Sequence, residues 1–311
     1  MADPGDHAGL NPAGAEPGLV LPAGAWDCHI HVFPDPREFP FAPGRRYTPG
    51  VVEPGDALAL LRRLGAAHAV IQHASPYGGD NASLVWSVAA LAGVAAGVAA
   101  CPSVDIMAGR DPADWSSSGI AGFRLHDGES DRQTAAVLSA AGSWLAGSRM
   151  HLDLHVSGER AEALVPVIAD LGVPVVLDHF AGIPPERGQL PQALKMLMDQ
   201  ENVWLKLSAA YRVRGLMPDG VADAVAVLMD QYPTRCLWGS DWPHTPPHPD
   251  DPARRQSVQP FRNIDTVAEV TRLAAQLTDD QKQLLFTENP ARLYGWALAP
   301  HGLLTDGLPP P

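Results

Sequence analysis

Short apolar runs recur along the chain, separated by stretches whose apolar residues fall three to four apart. The runs are AWDCHIHV from Ala25, HAVIQHAS from His68, AAGVAACPS from Ala95, IAGFRLHD from Ile120, MHLDLHVS from Met150, PVVLDHFAG from Pro174, VWLKLSAA from Val203 and RCLWGSDW from Arg235. Their length, β-branched content and near-continuous hydrophobicity predict strands buried on both faces, as in a parallel sheet. Between them, PGDALALLRRLG predicts a helix with Pro54 in its first turn and Gly65 as its stop. ERAEALVPVIADLG predicts another, kinked or started late at Pro166. PDGVADAVAVLMDQYP is a third, and LVWSVAALAGVAAGVAA reads as a packed helix running into a buried strand. Eight strand–helix repeats over about 270 residues are what a (β/α)8 TIM barrel of the α/β class requires. The rival, a doubly wound sheet, lacks its glycine-rich phosphate turn after the first strand.

The pattern divides the chain into a flexible Gly/Ala/Pro-rich lead over 1–24, a barrel over 25–297 and a C-terminal tail over 298–311. The lead has neither a basic start nor an apolar centre, so a signal peptide is not expected, and no apolar run is long enough to predict a membrane span. The formal charge is −13, from 22 basic and 35 acidic residues. That balance, without a basic run, argues against nucleic acid and membrane partners. Three cysteines, Cys28, Cys101 and Cys236, each lie in an apolar run. An odd number so placed suits reduced thiols in a cytoplasmic protein. Oligomeric state is not encoded in any of these features, which leave room for a homo-oligomer.

Polar residues concentrate where the predicted strands end. The first strand ends with His29 and His31, the second with Gln72, His73 and Ser75, the fourth with Arg124 and His126, and the fifth with His155. The sixth ends with Asp178 and His179, the seventh with Lys206 and Ser208, the eighth with Ser240, Asp241 and His244. Ionisable groups are costly to bury unless paired or coordinating, and a TIM barrel builds its active site at the C-terminal strand ends. This concentration therefore predicts an enzyme. In a strand, Asp27, His29 and His31 share one face. Joined by His155 and Asp241, the two histidines of His-x-His form a nitrogen–oxygen set suited to one divalent metal, zinc or manganese. Asp241 would ligate or take a proton from water, with His179 orienting the substrate or polarising a carbonyl. Asp27, deeper in the strand, is expected to support the histidines.

The segments DCHIHVF, VVLDHFAG, LWGSDWPHT and ENPARLYGW together resemble the amidohydrolase superfamily, in its amidohydrolase-2 branch of pyrone-dicarboxylate and sulfomuconolactone lactonases. FPFAPGRRYTP and VIQHASPYGGDN support that branch, and the resemblance covers about residues 25 to 297. It implies a (β/α)8 barrel in which Asp241 activates water, His179 assists at the carbonyl, and Tyr47, Ser75, Arg124 and Arg212 hold a carboxylate of a small anionic substrate. Two positions depart from the lactonase pattern. Ser130 stands where a second arginine belongs, and His155 stands where the metal-free lactonases carry tyrosine, a change that favours a mononuclear metal. The expected activity is opening of a small carboxylated lactone. The alternative is a metal-dependent decarboxylase acting on a small unsaturated or aromatic acid.

Overall fold

The computed structural model describes residues 21–101, 103–107, 111–126, 130–156, 158–185, 189–216 and 220–298. Its eight strands are β1 Trp26–Ile30, β2 His68–Gln72, β3 Ala95–Ala100, β4 Ile120–His126, β5 His151–His155, β6 Val175–Leu177, β7 Val203–Ser208 and β8 Cys236–Gly239. Every run predicted from the hydrophobic pattern contains one of them. Each pairs in parallel with the next, in the order β1 to β8. The circle closes just past the strand ends: Ile30 bridges Trp242 in parallel, His31 N–H donates to the Trp242 carbonyl at 2.8 Å, and Asp241 N–H donates to the His29 carbonyl at 2.8 Å. The fold is the (β/α)8 TIM barrel.

The helices follow their sequence signals. Helix Pro54–Leu64 begins on proline and stops at Gly65, whose φ of 69° is the left-handed conformation glycine adopts without steric cost. The segment around Pro166 divides into helices Gly158–Ala163 and Val165–Ala169, because proline cannot donate the hydrogen bond that would join them. Ser130 caps helix Asp131–Leu145, accepting from Gln133 N–H at 3.3 Å. The residue found in place of a second arginine is thus a helix start.

Two apolar layers position the site. The outer one lies between strands and helices. The inner one fills the base of the barrel with Trp26, Cys28, Val70, Val98, Val176, Trp204 and Leu237. Leu293, Tyr294 and Ala297 from the C-terminal helical segment join it and plug that end, with Tyr294 fully buried against Trp26 and His151. Polar chemistry is left to the opposite rim. The three cysteines are free thiols. Among the described residues, no helix is long and apolar enough to cross a membrane. Residues 1–20 of the expected lead and 299–311 of the expected tail lie outside the described residues; Leu21 is buried in the core, and Leu298 packs on the inner layer.

Candidate active site

The alternation expected in β1 is broken. Its register against β2 shifts between Asp27 and Ile30, so Trp26 and Cys28 face the inner layer while His29 also turns inward toward β8. Asp27 does not touch the imidazoles. Its Oδ1 accepts from Ser240 N–H at 2.8 Å and from His29 N–H at 3.2 Å, tying the two closing strands together. Burial pushes its carboxyl up to about 7 against these bonds.

At the rim, His29 Nε2, His31 Nε2 and Asp241 Oδ1 form a nearly equilateral triangle, with edges of 3.3, 3.4 and 3.4 Å. His31 Nδ1 lies 3.0 Å from the Gln72 carbonyl, which can only accept, so Nδ1 carries a proton and Nε2 is the nitrogen turned to the triangle. His29 Nδ1 faces the Asp178 carboxylate at 3.4 Å, which favours the proton on that nitrogen. Burial, against the opposing pull of Asp178, holds His29 well below its ordinary range, so it is neutral at pH 7. Two imidazole nitrogens and a carboxylate oxygen therefore converge on one point, an arrangement that suits a cation. Ligands of a tetrahedral ion at about 2.0–2.1 Å stand about 3.3–3.4 Å apart, which matches these edges. The donor set fits one divalent metal.

His179 adjoins this triangle, its ring 4.8 Å from that of His29, and His29, His179 and Asp241 bring ligand atoms within 4.8 Å of one another. Its Nδ1 bonds Ser208 Oγ at 2.8 Å, and burial holds it down to about 4. His155 is set back from the triangle: its ring lies edge-on to His179 at 5.3 Å, and its ligand atoms group with those of Asp178 and His179.

Two buried carboxylates organise the surroundings. Asp178 takes Arg124 on Oδ2, at 2.9 Å from Nε and 2.8 Å from a terminal nitrogen, and Lys206 Nζ on Oδ1 at 3.0 Å. Burial alone would raise its pKa; Lys206 and Arg124 hold it well below the usual carboxylate range. Lys206 also bonds Asp153 Oδ2 at 2.7 Å, and His151 Nε2 lies 3.1 Å from Asp153 Oδ1. Asp241 likewise resists burial: Arg212, His31 and His179 keep it ionised. Arg212 Nε donates to Asp241 Oδ2 at 2.8 Å, and Tyr211 donates its hydroxyl hydrogen to the same oxygen.

The four expected substrate-holding residues do not form one cluster. Tyr47, Ser75 and Arg212 meet around Thr245: the Tyr47 hydroxyl faces Thr245 and Ser75, Arg212 donates to Thr245 Oγ1, and the Tyr47 ring stacks on His248 at 5.2 Å. Arg124 is separate, buried on Asp178 and donating to the His73 carbonyl at 3.3 Å. Thr245 and Tyr211 also belong to the site; one stands in DWPHT and the other directly precedes Arg212, and no spacing in the sequence marks either. The backbone is held in unusual conformations at this rim. His179, Phe180, Ala181, Ala209, Asp241 and His244 have φ between 44° and 66° without being glycine. Each such residue costs about 1–3 kcal/mol and characteristically marks a functional site.

Known proteins resemble this chain over nearly its whole length. The amidohydrolase family model matches residues 26–296. The 4-sulfomuconolactone hydrolase of Rhizobium radiobacter is 31% identical over 307 residues, spanning 94% of this chain and 99% of that protein. The 2-pyrone-4,6-dicarboxylate hydrolase of Comamonas testosteroni is 28% identical over 296 residues, spanning 90% and 93%. An apo crystal structure from Agrobacterium tumefaciens superposes with a TM-score of 0.72 at 20% identity, over 90% of this chain and 98% of that one, and speaks for the barrel alone.

Proposed function

We propose that this chain, which belongs to the amidohydrolase family, hydrolyses a small lactone carrying an acidic group. The observation that carries the reading is the triangle of His29 Nε2, His31 Nε2 and Asp241 Oδ1. The names of the relatives, two lactone-opening hydrolases, supply the substrate class.

His29, His31 and Asp241 would hold one divalent ion, zinc or manganese, with His155 and His179 beside them. When bound, such an ion supplies Lewis acidity and lowers the pKa of water. Asp241 takes the proton of the attacking water, kept available as a carboxylate by Arg212. Water oxygen bonds to the lactone carbonyl carbon, the ring C–O bond breaks, and the ring oxygen leaves with a proton, giving a hydroxy acid. His179, neutral at pH 7 and fixed by Ser208, is placed to donate toward the carbonyl oxygen. Tyr47, Ser75 and Arg212 grip the acidic group. Arg212 donates from Nε to Asp241 and from one terminal nitrogen to Thr245, and its side chain is partly exposed. The exposed part of the guanidinium meets the substrate anion. Arg124 lies at the other side of the site and would steady a second anionic group only by sharing its hold on Asp178.

The test is turnover of a panel of γ- and δ-lactone carboxylates and sulfonates by protein of known metal content. Ring opening that vanishes in Asp241→Asn supports the reading. Release of carbon dioxide without ring opening would move the enzyme to the decarboxylases, and no turnover by folded, metal-replete protein would refute hydrolysis of this class.

A further inference from the structure

The two oxygens of Asp241 have different partners. Oδ1 meets His29 Nε2 and His31 Nε2, each at 3.4 Å. Oδ2 takes Arg212 Nε at 2.8 Å and the Tyr211 hydroxyl. Carboxylate rotation would exchange these roles, so something must hold it.

The turn after β7 does the holding. Ala209 adopts φ 44° in the left-handed region, and the short 3-10 turn Ala210–Arg212 follows, setting Tyr211 and Arg212 over Asp241. The Tyr211 ring is itself fixed. The Arg262 guanidinium lies 4.9 Å from its centroid, that of Arg212 5.2 Å, and the His244 ring meets it edge-on at 5.9 Å. Arg262 is anchored in turn, donating from Nε to the Thr245 carbonyl at 3.2 Å and from its backbone N–H to the His244 carbonyl at 2.8 Å. The loop beyond Asp241 thus folds back to brace the tyrosine that bonds Asp241.

We infer that Tyr211 is a positioning residue: its hydroxyl fixes the Asp241 carboxylate so that Oδ1 is the oxygen presented to His29 and His31. Arg212 cannot serve this purpose alone. Its side chain is partly exposed, with 24% accessible, and it donates to Thr245 beside Tyr47. A substrate anion there shares its guanidinium and weakens its hold on Oδ2. Tyr211, whose hydroxyl bonds the same oxygen, keeps the carboxylate from turning as that happens. The inference rests on the proposed role of Asp241 as proton acceptor.

Tyr211→Phe tests it, because phenylalanine keeps the ring contacts and removes one bond. We expect kcat to fall about 10- to 100-fold, as is typical when the support of a ligand is lost, with KM within about twofold and an unchanged melting temperature. A crystal structure of the variant, which needs neither substrate nor metal, should show the Asp241 carboxylate rotated or split. A raised KM with kcat kept would make Tyr211 a substrate contact and overturn the inference, as would wild-type kinetics with an unmoved carboxylate. Asp241→Asn is the parallel control. If it turns over normally, the role of Asp241 fails, and the carboxylate geometry in Tyr211→Phe still decides whether Tyr211 positions it.

Discussion

Gly239 and His29 stand so close that a single methyl group cannot fit between them: a Cβ on Gly239 would lie 2.5 Å from His29 Cβ and 2.9 Å from His29 N. This close approach of β8 to β1 closes the barrel and brings Asp241, two residues on, to the imidazoles. Gly239→Ala has no flexible neighbour to displace, since the obstacle includes backbone. It should lower stability by at least about 1–3 kcal/mol, as overpacking does, and reduce turnover with it. Gly44→Ala, at a position with open space around it, should do neither. Equal melting temperatures and rates for the two variants would contradict the closure argument.

Lys206, fully buried, serves two acids at once, Asp153 at 2.7 Å and Asp178 at 3.0 Å. Burial opposes its charge, and the two carboxylates restore it. Lys206→Met leaves Asp153 with His151 and Asp178 with Arg124. An uncompensated buried charge costs about 3–5 kcal/mol, which a urea unfolding curve would register. Adding Asp153→Leu removes the orphaned acid and should recover part of that loss. If the double variant is no more stable than the single, the lysine matters for reasons other than this pairing.

The barrel was legible because hydrophobic periodicity is local, and all eight strands could be read from runs of a few residues. His29, His31, His179 and Asp241 were legible for a related reason: each ends or directly follows such a run, and barrel topology gathers strand ends. Contacts across the fold were not. Arg124 and Asp178 lie 54 positions apart, and Arg212 and Asp241 lie 29 apart. No spacing rule pairs them, so both arginines read as free for substrate when each already serves a buried carboxylate. The register shift in β1 was equally hidden, because strict alternation assigns Cys28 and His29 to opposite faces. Tyr211 lies in a 3-10 turn, where no periodicity marks which side chain points inward.

Acid should weaken the fold in a defined window. Burial holds His73, His179 and His244 each down to about 4, against 6.5 in an unfolded chain. Between about pH 6.5 and pH 4 the unfolded chain therefore binds more protons than the native one, and stability falls as pH falls. Asp27 works in the other direction: its carboxyl is raised from 3.8 to about 7, so the native state keeps a proton that the unfolded state releases. Three imidazoles outweigh one carboxyl, and the net effect is loss toward acid. The urea midpoint should drop between about pH 7.5 and about pH 5; a midpoint that holds or rises would show that these histidines are protonated in the native state.

The two arginines should separate when each is replaced. Arg124 is buried, with two nitrogens on Asp178, so Arg124→Gln removes half the charge compensation of a carboxylate that water cannot reach. Its main effect should be on stability, of about 3–5 kcal/mol, whatever it adds in KM. Arg212 is partly exposed and joins Asp241, Thr245 and the open side of the site. Lysine there keeps the charge but loses the planar fork, and a single ammonium cannot face Asp241, Thr245 and a substrate anion together. Hydrogen bonds to charged groups are worth about 1.5–3 kcal/mol, so Arg212→Lys should cut kcat/KM roughly 10- to 150-fold with little change in melting temperature. Steady-state kinetics and thermal melts on both variants would check the contrast. If Arg124→Gln instead left stability intact and raised KM alone, the Asp178 pair would be dispensable and Arg124 would belong to the substrate.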